Sequence, residues 1–298
     1  MRARSAASSL APKPSGIDLR SAGHKRPLYL CAGHVTRDLE GSGWSFGGPV
    51  YFSSRTATAL GCDVVAITRL AGSDLPLLKQ KTPGIEWLSK PAGVTTTFEN
   101  IYGSAGRTQR VHAQAPRLAV RDAGAVPLHP RIVHIAPVLR EIGAAFLGKL
   151  AANRFVGLTA QGLLRSVNCD GVVSVAVARS APVAFQIADV SIVSVEDFDG
   201  DVAQARDLLA RSRVGVLTDG HRVIHAQEEG RWFELPVVPQ PIRNPTGTGD
   251  VFATALFVRY EATGNLERSL EFAATIAADW ISAKDAGLFV TSSHVKGQ

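Results

Sequence analysis

Cysteine, methionine and long apolar runs are scarce in this chain of 298 residues. Its three cysteines, Cys31, Cys62 and Cys169, are odd in number and widely spaced, so neither a disulfide framework nor a zinc site is built from them. They read as buried, reduced thiols of a cytoplasmic protein. No apolar stretch approaches the roughly 20 residues that a membrane helix needs, so no membrane association is expected. Excess charge is also missing from most of the chain. The net charge is +6, but residues 1–27 hold Arg2, Arg4, Lys13, Arg20, Lys25 and Arg26 against Asp18 alone, leaving +1 for the rest. A nearly neutral body argues against nucleic acid as a partner. Residues 1–27, rich in Ser, Ala, Pro and Arg, lack an apolar h-region and are not a secretory signal. They read as a disordered basic tail.

What is present is an alternation of short apolar runs with helix-like stretches. Strands are expected at 28–33, 64–70, 131–136, 154–159, 172–178, 190–195 and 213–218, with a hairpin near 222–236. Helices are expected at 49–60, 74–81, 139–152, 197–211, 249–262 and 266–284. Val- and Ile-rich strands separated by helices predict an α/β fold, a mainly parallel sheet covered on both faces. Residues 86–118 differ, being Thr-rich with a Gly103-Ser104-Ala105-Gly106 turn, and read as a β-hairpin outside the main sheet. Its exposed edge offers a pairing surface to a second copy, so a homodimer is one expectation.

The most informative run is Asn244-Pro245-Thr246-Gly247-Thr248-Gly249-Asp250-Val251-Phe252, followed by an Ala-containing, helix-like stretch to Tyr260. Glycines directly before a helix let backbone N–H groups turn outward together, with the positive end of the helix dipole behind them. That is an anion site. Asp250 falls in the first turn beside it. An anion hole with an adjacent carboxylate suits phosphoryl transfer to a hydroxyl: Gly247, Thr248 and Gly249 supply N–H groups to the moving group, and Asp250 takes the hydroxyl proton. The same string also reads as a turn and an N-cap alone.

Competing motifs fail on context. Gly43-Trp44-Ser45-Phe46-Gly47 matches a hydrolase nucleophile elbow, but the polar stretch Thr36 to Ser42 precedes it where a strand should run in. Gly247-x-Gly249 has Phe252 at the sixth position and lies near the C-terminal end, unlike a dinucleotide fingerprint. No Walker lysine pattern occurs. His221 and His225 are separated by strand-like residues and read as surface histidines.

In order and spacing, residues 28–290 resemble the ribokinase/PfkB carbohydrate kinase family. The Gly247–Phe252 run is similar to the family's Asp-Thr-Thr-Gly-Ala-Gly-Asp-x-Phe signature. Leu28 to Gly33 followed by Asp38, Gly47-Gly48 before a helix, Val64 to Gly72 with Asp74, and Val214 to Gly220 resemble its other landmarks. The resemblance implies a ribokinase-like three-layer α/β/α domain over 28–298, with a small β lid from about 36–46 and 86–118. It implies ATP and magnesium as cofactors, Asp38 as the acceptor of substrate hydroxyls, and Gly47 and Gly48 as points of close substrate approach. Thr218 and Gly220 would flank the nucleotide. Ser194-Val195-Glu196-Asp197 stands where the family has Asn-x-x-Glu, so Ser194, Glu196 and Asp197 would organise magnesium and phosphates through water. The chain departs from the pattern in four places. Asn244 replaces an Asp that helps some members hold a monovalent cation, which puts potassium in doubt. Ser194 replaces Asn. Phe52 stands at a position where sugar kinases often have Asn. Thr159-Ala160-Gln161 with Arg165 is similar to the Asp-x-Gln…Arg of inositol-kinase-like members, with Thr for Asp. Phe52, Gln161 and Arg165 are therefore expected at the substrate, and the departures point toward a cyclic polyol such as myo-inositol. A nucleoside kinase of the same fold, or a kinase-like scaffold that binds without turnover, are the alternatives.

Overall fold

The computed structural model describes residues 26–283, apart from 104–105, 126–128, 153 and 221. Most of the expected basic tail, the tip of the Gly103–Gly106 turn, and His221 therefore lie outside the described residues. In chain order the elements are β1 (Leu28–Ala32), β2 (Thr36–Glu40), β3 (Gly43–Gly47), α1 (Pro49–Ala59), β4 (Asp63–Ala71), α2 (Leu75–Lys81), β5 (Ile85–Ala92), β6 (Thr96–Gly103) and β7 (Gly106–Ala113). They continue with β8 (Ile132–Ile135), α3 (Ala144–Ala151), β9 (Phe155–Thr159), β10 (Arg165–Val167), β11 (Val173–Val175), α4 (Ala181–Ile187), β12 (Val190–Ser194) and α5 (Val202–Leu209). The last are β13 (Val214–Asp219), β14 (Val223–Glu228), β15 (Arg231–Pro236), α6 (Thr248–Thr263) and α7 (Leu266–Ser282).

Nine strands form the main sheet in the order β15-β14-β13-β12-β9-β8-β1-β4-β5. The run from β13 to β5 is parallel, and β14–β15 is an antiparallel hairpin on one edge. Side chains alternate between two cores. Tyr29, Cys31, Ile132, Val190 and Val214 face α1, α6 and α7, while Leu30, Ala32, Val133, Val156 and Leu158 face α3, α4 and α5. Burial on both faces is why these strands read as continuous apolar runs. On β9, Gly157 leaves room for the ring of Phe257, which would lie 2.5 Å from a Cβ there. α7 shows why it forms: Asn265 caps its first turn by accepting from Arg268 N at 3.0 Å, and Leu266, Leu270, Ala273, Ala277 and Trp280 repeat at helical spacing on the buried face. No helix among the described residues is long and apolar enough to cross a membrane.

A second sheet, ordered β3-β2-β6-β7, stands apart from the first. Several expectations need correction here. Ile85–Ala92 belongs to the main sheet as its edge strand, paired with β4, so only 96–113 of the expected outlying hairpin lies outside. Lys90 and Pro91 suit an edge position. The strand expected at 172–178 is the three-residue β11, which pairs with β10 in a small hairpin rather than with the main sheet. That hairpin covers part of the β7 edge, through Val111 N donating to Gly171 O at 2.8 Å. The helix expected at 139–152 begins only at Ala144, because the buried Glu141 carboxylate accepts from the N–H groups of Val138 and Leu139 and holds that segment as a loop. The helix expected at 197–211 is interrupted at Asp199, whose φ is 50°, and resumes as α5 under an Asp201 cap. α4 was not foreseen; Pro182 just inside its start is the signal that marks it. Cys31 and Cys62 are buried as expected, whereas Cys169 is exposed.

Candidate active site

The chain runs from β1 outward to β4 and β5, then returns to the other side of β1 with β8. In a parallel sheet the crevice beyond the carboxyl ends of the strands, where the winding reverses, is where ligands bind. Here Gly33, after β1, packs so tightly on the Ala136 carbonyl after β8 that a Cβ would come within 2.0 Å of it. The residues singled out in the sequence gather at this end: Asp38 in the small sheet beyond β1, Gln161 and Arg165 beyond β9, Ser194 at the end of β12 with Glu196 and Asp197 beyond it, and Thr218 and Gly220 at the end of β13.

α6 points its N-terminus into the same region. Gly247 is its N-cap with φ 78°, a left-handed conformation that glycine adopts without strain. A Cβ on Gly247 would also lie 2.5 Å from the Phe52 ring. Phe52 is buried, edge-on to Trp280 at 5.9 Å and to Tyr51 at 5.3 Å, so it supports the loop from below. Gly249 differs: a Cβ there would meet nothing within 4 Å. The N–H groups of Gly249 and Asp250 belong to the first helical turn and have no intrahelical carbonyl to bond. The chain before the helix is fastened to the end of α7, with Arg243 N and Asn244 N donating to Ile281 O at 2.8 and 3.0 Å and Trp280 Nε1 to Thr246 O at 3.1 Å. Thr248 Oγ1 closes the turn onto the carbonyls of Asn244 and Pro245, at 3.2 and 3.0 Å. Asn244 Nδ2 donates to the Ala283 carbonyl. That contact needs an amide, since an Asp carboxylate would face an oxygen with no proton to give.

Asp250 is half-buried, and its carboxyl is pushed up to about 7. Loss of solvent is the main cause. Arg165 opposes it, while Asp197 and Asp38 reinforce it. Two other carboxylates and one guanidinium, drawn from three separate elements, therefore lie within electrostatic reach of Asp250. Thr36 Oγ1 donates to Asp38 at 2.9 Å, and the Asp38 carboxylate occupies the space above Gly47, where a Cβ would be 2.1 Å away. Gly47 thus makes room for Asp38 itself. Gly48 caps α1 with φ 88° and sits on the His34 carbonyl. Burial likewise raises the Asp197 carboxyl, against the Ser194 N–H, the charge of Arg165 and a hydrogen bond from Gln161. Ser194 and Asp197 form a capping box on a short 3₁₀ turn: Ser194 N donates to Asp197 Oδ2 at 2.9 Å, and Glu196 N to Ser194 Oγ at 3.3 Å. Glu196 is exposed beside them. Among the described residues no group of three or more His, Cys, Asp or Glu could hold a metal by itself. One exposed and one recessed carboxylate fit magnesium held through water and brought by phosphates, a usual arrangement for that ion.

Arg165 Nη1 also donates to Gln109 Oε1 on β7 at 3.1 Å, linking the small sheet to the site. Thr218 Oγ1 lies 3.4 Å from the Val193 carbonyl, and Gly220, φ 53°, opens the turn after β13. Ser45 of the hydrolase-like string sits mid-strand on β3 and donates to Glu40 at 2.9 Å, with no elbow around it. His225 lies on β14 opposite Glu234.

Three contributors escaped the sequence reading. Trp280 holds the 243–246 loop. Arg37 reaches from β2 to Asp74 and stacks over Trp44 at 4.3 Å. His134 is fully buried inside the apolar strand Ile132-Val133-His134-Ile135, and a lone histidine in so apolar a run was the available signal.

No protein-family model matches this sequence, and no curated protein matches it. Solved structures do. A pyrophosphate-dependent kinase in the ribokinase family, complexed with a pyrophosphate analog and myo-inositol, aligns with a TM-score of 0.74 and 20% identity over 85% of this chain and 94% of that one. A pyrophosphate-dependent myo-inositol-1 kinase converted by mutation into a myo-inositol-3 kinase aligns with a TM-score of 0.76 and 17% identity, over 90% of this chain and 98% of that one. Arabidopsis thaliana ribokinase with ribose and ATP aligns with a TM-score of 0.64 and 14% identity, over 89% of this chain and 96% of that one. The fold of this chain is the ribokinase fold.

Proposed function

We propose that this chain transfers a phosphoryl group from a phosphate donor to a hydroxyl of a small sugar or polyol. The observation that carries the reading is the meeting of Asp250, at the N-terminus of α6, with Asp38, Asp197 and Arg165. In this reading Asp38 accepts hydrogen bonds from the substrate's hydroxyls and presents one of them to Asp250. Asp250 takes that hydroxyl's proton as the new O–P bond forms and the donor's P–O bond breaks. A carboxyl poised near 7 suits a base working close to neutral pH. The N–H groups of Gly249 and Asp250, with Arg165, bear the charge on the moving phosphoryl; the Thr248 N–H expected to join them is spent on the Pro245 carbonyl at 3.4 Å. Magnesium, associated with Glu196 and Asp197 through water, would neutralise donor phosphates. The small sheet acts as a lid that excludes water from the reacting groups.

The donor divides the reading in two. Likeness to the family's motifs favours ATP, with Thr218 and Gly220 flanking the nucleotide. The alignments favour pyrophosphate, because the pyrophosphate-dependent kinases align at 0.74 and 0.76 and the ATP-bound ribokinase at 0.64. One of those kinases was complexed with myo-inositol, which supports the expectation of a cyclic polyol acceptor.

The test supplies magnesium with either ATP or pyrophosphate to a panel of polyols, sugars and nucleosides, and detects the phosphate ester formed. Asp250→Asn serves as the blank. One acceptor phosphorylated with one donor, and lost in the variant, is the expected result. Donor binding with no ester from any acceptor would sink the kinase reading in favour of a binding scaffold.

A further inference from the structure

Beneath the first turn of α6 a chain of polar groups crosses the middle of the main sheet. Tyr29 on β1, His134 on β8 and Thr159 on β9 come from three adjacent strands. The Tyr29 hydroxyl lies 2.8 Å from His134 Nδ1, and His134 Nε2 lies 3.0 Å from Thr159 Oγ1. Tyr29 and His134 are completely buried, and Thr159, the last residue of β9, is 8% exposed at the carboxyl end of the strands, the end where the crevice lies.

The position of Thr159 follows from the packing. His134 stacks edge-on against Phe257 with centroids 4.9 Å apart, and Phe257 also fills the space left by Gly157. Thr159 is two residues beyond Gly157 on the same face of β9, roughly 7 Å toward the strand ends. Asp250 is seven residues before Phe257, two turns along the same face of α6 and roughly 10 Å in that same direction. Thr159 therefore lies under the first turn of α6.

Acceptor strength and burial assign the protons in this chain an order. Thr254 Oγ1 gives its proton to the Asp250 carbonyl at 2.8 Å, so it has none for Tyr29. Burial holds the Tyr29 phenol well above its ordinary range, so it keeps its proton. The Tyr29 hydroxyl has two acceptors to choose from, His134 Nδ1 at 2.8 Å and the Thr254 oxygen, and the imidazole nitrogen is the stronger, so we take His134 Nδ1 as the one that accepts. Burial drives His134 down to about 3, so the ring is neutral and its one proton sits on Nε2. That N–H donates to Thr159 Oγ1, and the Thr159 proton is left to point elsewhere.

Resting on the phosphotransfer reading, we propose that Thr159 is a ligand-contacting hydrogen-bond donor to an oxygen of the bound phosphoryl group, aimed by His134 in its Nε2–H form, which Tyr29 selects. Asp at this position would offer only an acceptor and add a further negative charge beside Asp250 and Asp197. Threonine with this backing offers a donor and no charge, which matches an anionic oxygen held at the helix N-terminus.

The tautomer is read directly by ¹⁵N NMR of the histidine-labelled wild-type protein. His134 is expected with its proton on Nε2, both alone and with inorganic pyrophosphate. Calorimetric titration with inorganic pyrophosphate and magnesium then tests the contact. Thr159→Val should weaken binding roughly tenfold, and Thr159→Ser should return it to within about threefold of wild type. Tyr29→Phe should release the tautomer preference. A proton on Nδ1, a Thr159→Val protein that binds pyrophosphate as tightly as wild type, or a Thr159→Ser protein that binds no better than Thr159→Val would overturn the proposal. The two readings fail separately. Pyrophosphate binding that depends on Thr159 without any ester formed removes the kinase and keeps the donor. Turnover in Thr159→Val with an unchanged KM for the phosphate donor removes the donor and keeps the kinase.

Discussion

The nine-stranded sheet and the four-stranded sheet hold their polar residues by opposite means. In the first, β1 and β8 are sealed on both faces, and a polar group such as His134 on β8 is tuned by lack of water, as is Asp250 on the helix α6 packed against this sheet. In the second, β2 and β3 are only half-covered, and the polar groups are tied by charge. Arg37 donates to the buried Asp74 carboxylate, and Thr95 Oγ1 donates to the same group. Burial fixes a group in one place and alters its acidity. Charged ties fix an orientation while leaving a face open, which suits a sheet that must meet and release a ligand. Mutations in the two sheets should therefore fail differently, by loss of chemistry in one and loss of docking in the other.

The sharpest contrast is at Asp250. Replacing it with Asn should lower phosphotransfer by about 10²- to 10⁴-fold, as expected for a lost general base, while donor binding persists. In the wild type, kcat/KM should rise with pH through about 7, and this limb should vanish in the variant. Stability should move the other way. A carboxyl whose folded pKa is raised binds its proton more readily in the folded state, so its contribution is full below the unfolded value of about 3.9 and is lost as pH rises through about 7. Asp250→Asn should accordingly melt higher than wild type at pH 8 and much the same at pH 4. A variant that melted lower at pH 8 would show that the carboxylate stabilises the empty site.

The two glycines of the α6 turn separate fold from chemistry within the main site. Gly247→Ala forces a left-handed backbone and drives a methyl into Phe52, so it should cost about 1–3 kcal/mol in stability as well as activity. Gly249→Ala meets nothing in the protein and should leave the denaturation midpoint within about 0.5 kcal/mol of wild type, while weakening phosphate binding through crowding at the N–H groups. Equal melting of both variants would break this distinction.

How much of this was legible depends on whether a residue's role is local. The α6 turn, the parallel strands and the turn from β4 to Asp74 follow from short-range patterns, periodicity and glycine placement. The lid boundary did not, because Ile85–Ala92 alternates like a half-exposed hairpin strand yet pairs with β4 as a sheet edge. The early end of the 139–152 pattern depends on a single carboxylate, Glu141, bonding backbone N–H groups, and helical periodicity carries no trace of that. Asn244 looked like a defect in a motif until its amide was found on the Ala283 carbonyl, 39 residues away. Thr159 looked like another until His134 stood behind it. In each case the decisive partner comes from a distant element, and spacing along the chain does not reveal it.

Where Arg37 fastens the small sheet to the start of α2, Asp74→Ala should cost ~2 kcal/mol, less than a fully buried ion pair because the Arg37 side chain is 31% exposed. Its signature should be a raised KM for the acceptor with kcat little changed, measured by varying acceptor at saturating donor. A loss confined to kcat would mean that this sheet shapes the chemistry directly.

The smallest effect belongs to the pair Glu99–His112, which crosses from β6 to β7 at 2.8 Å with both side chains about 40% exposed. Solvent screens such a pair, so His112→Gln should change stability by less than about 1 kcal/mol at any pH from 5 to 8. Its value is as a control on the comparison. Arg37–Asp74 and Glu99–His112 each join a side chain of this sheet to a carboxylate, but only the first ends on a buried one. If urea titration finds the two substitutions equally costly, burial is not what distinguishes the fastening contacts from the decorative ones, and the separation between the two sheets loses its physical basis.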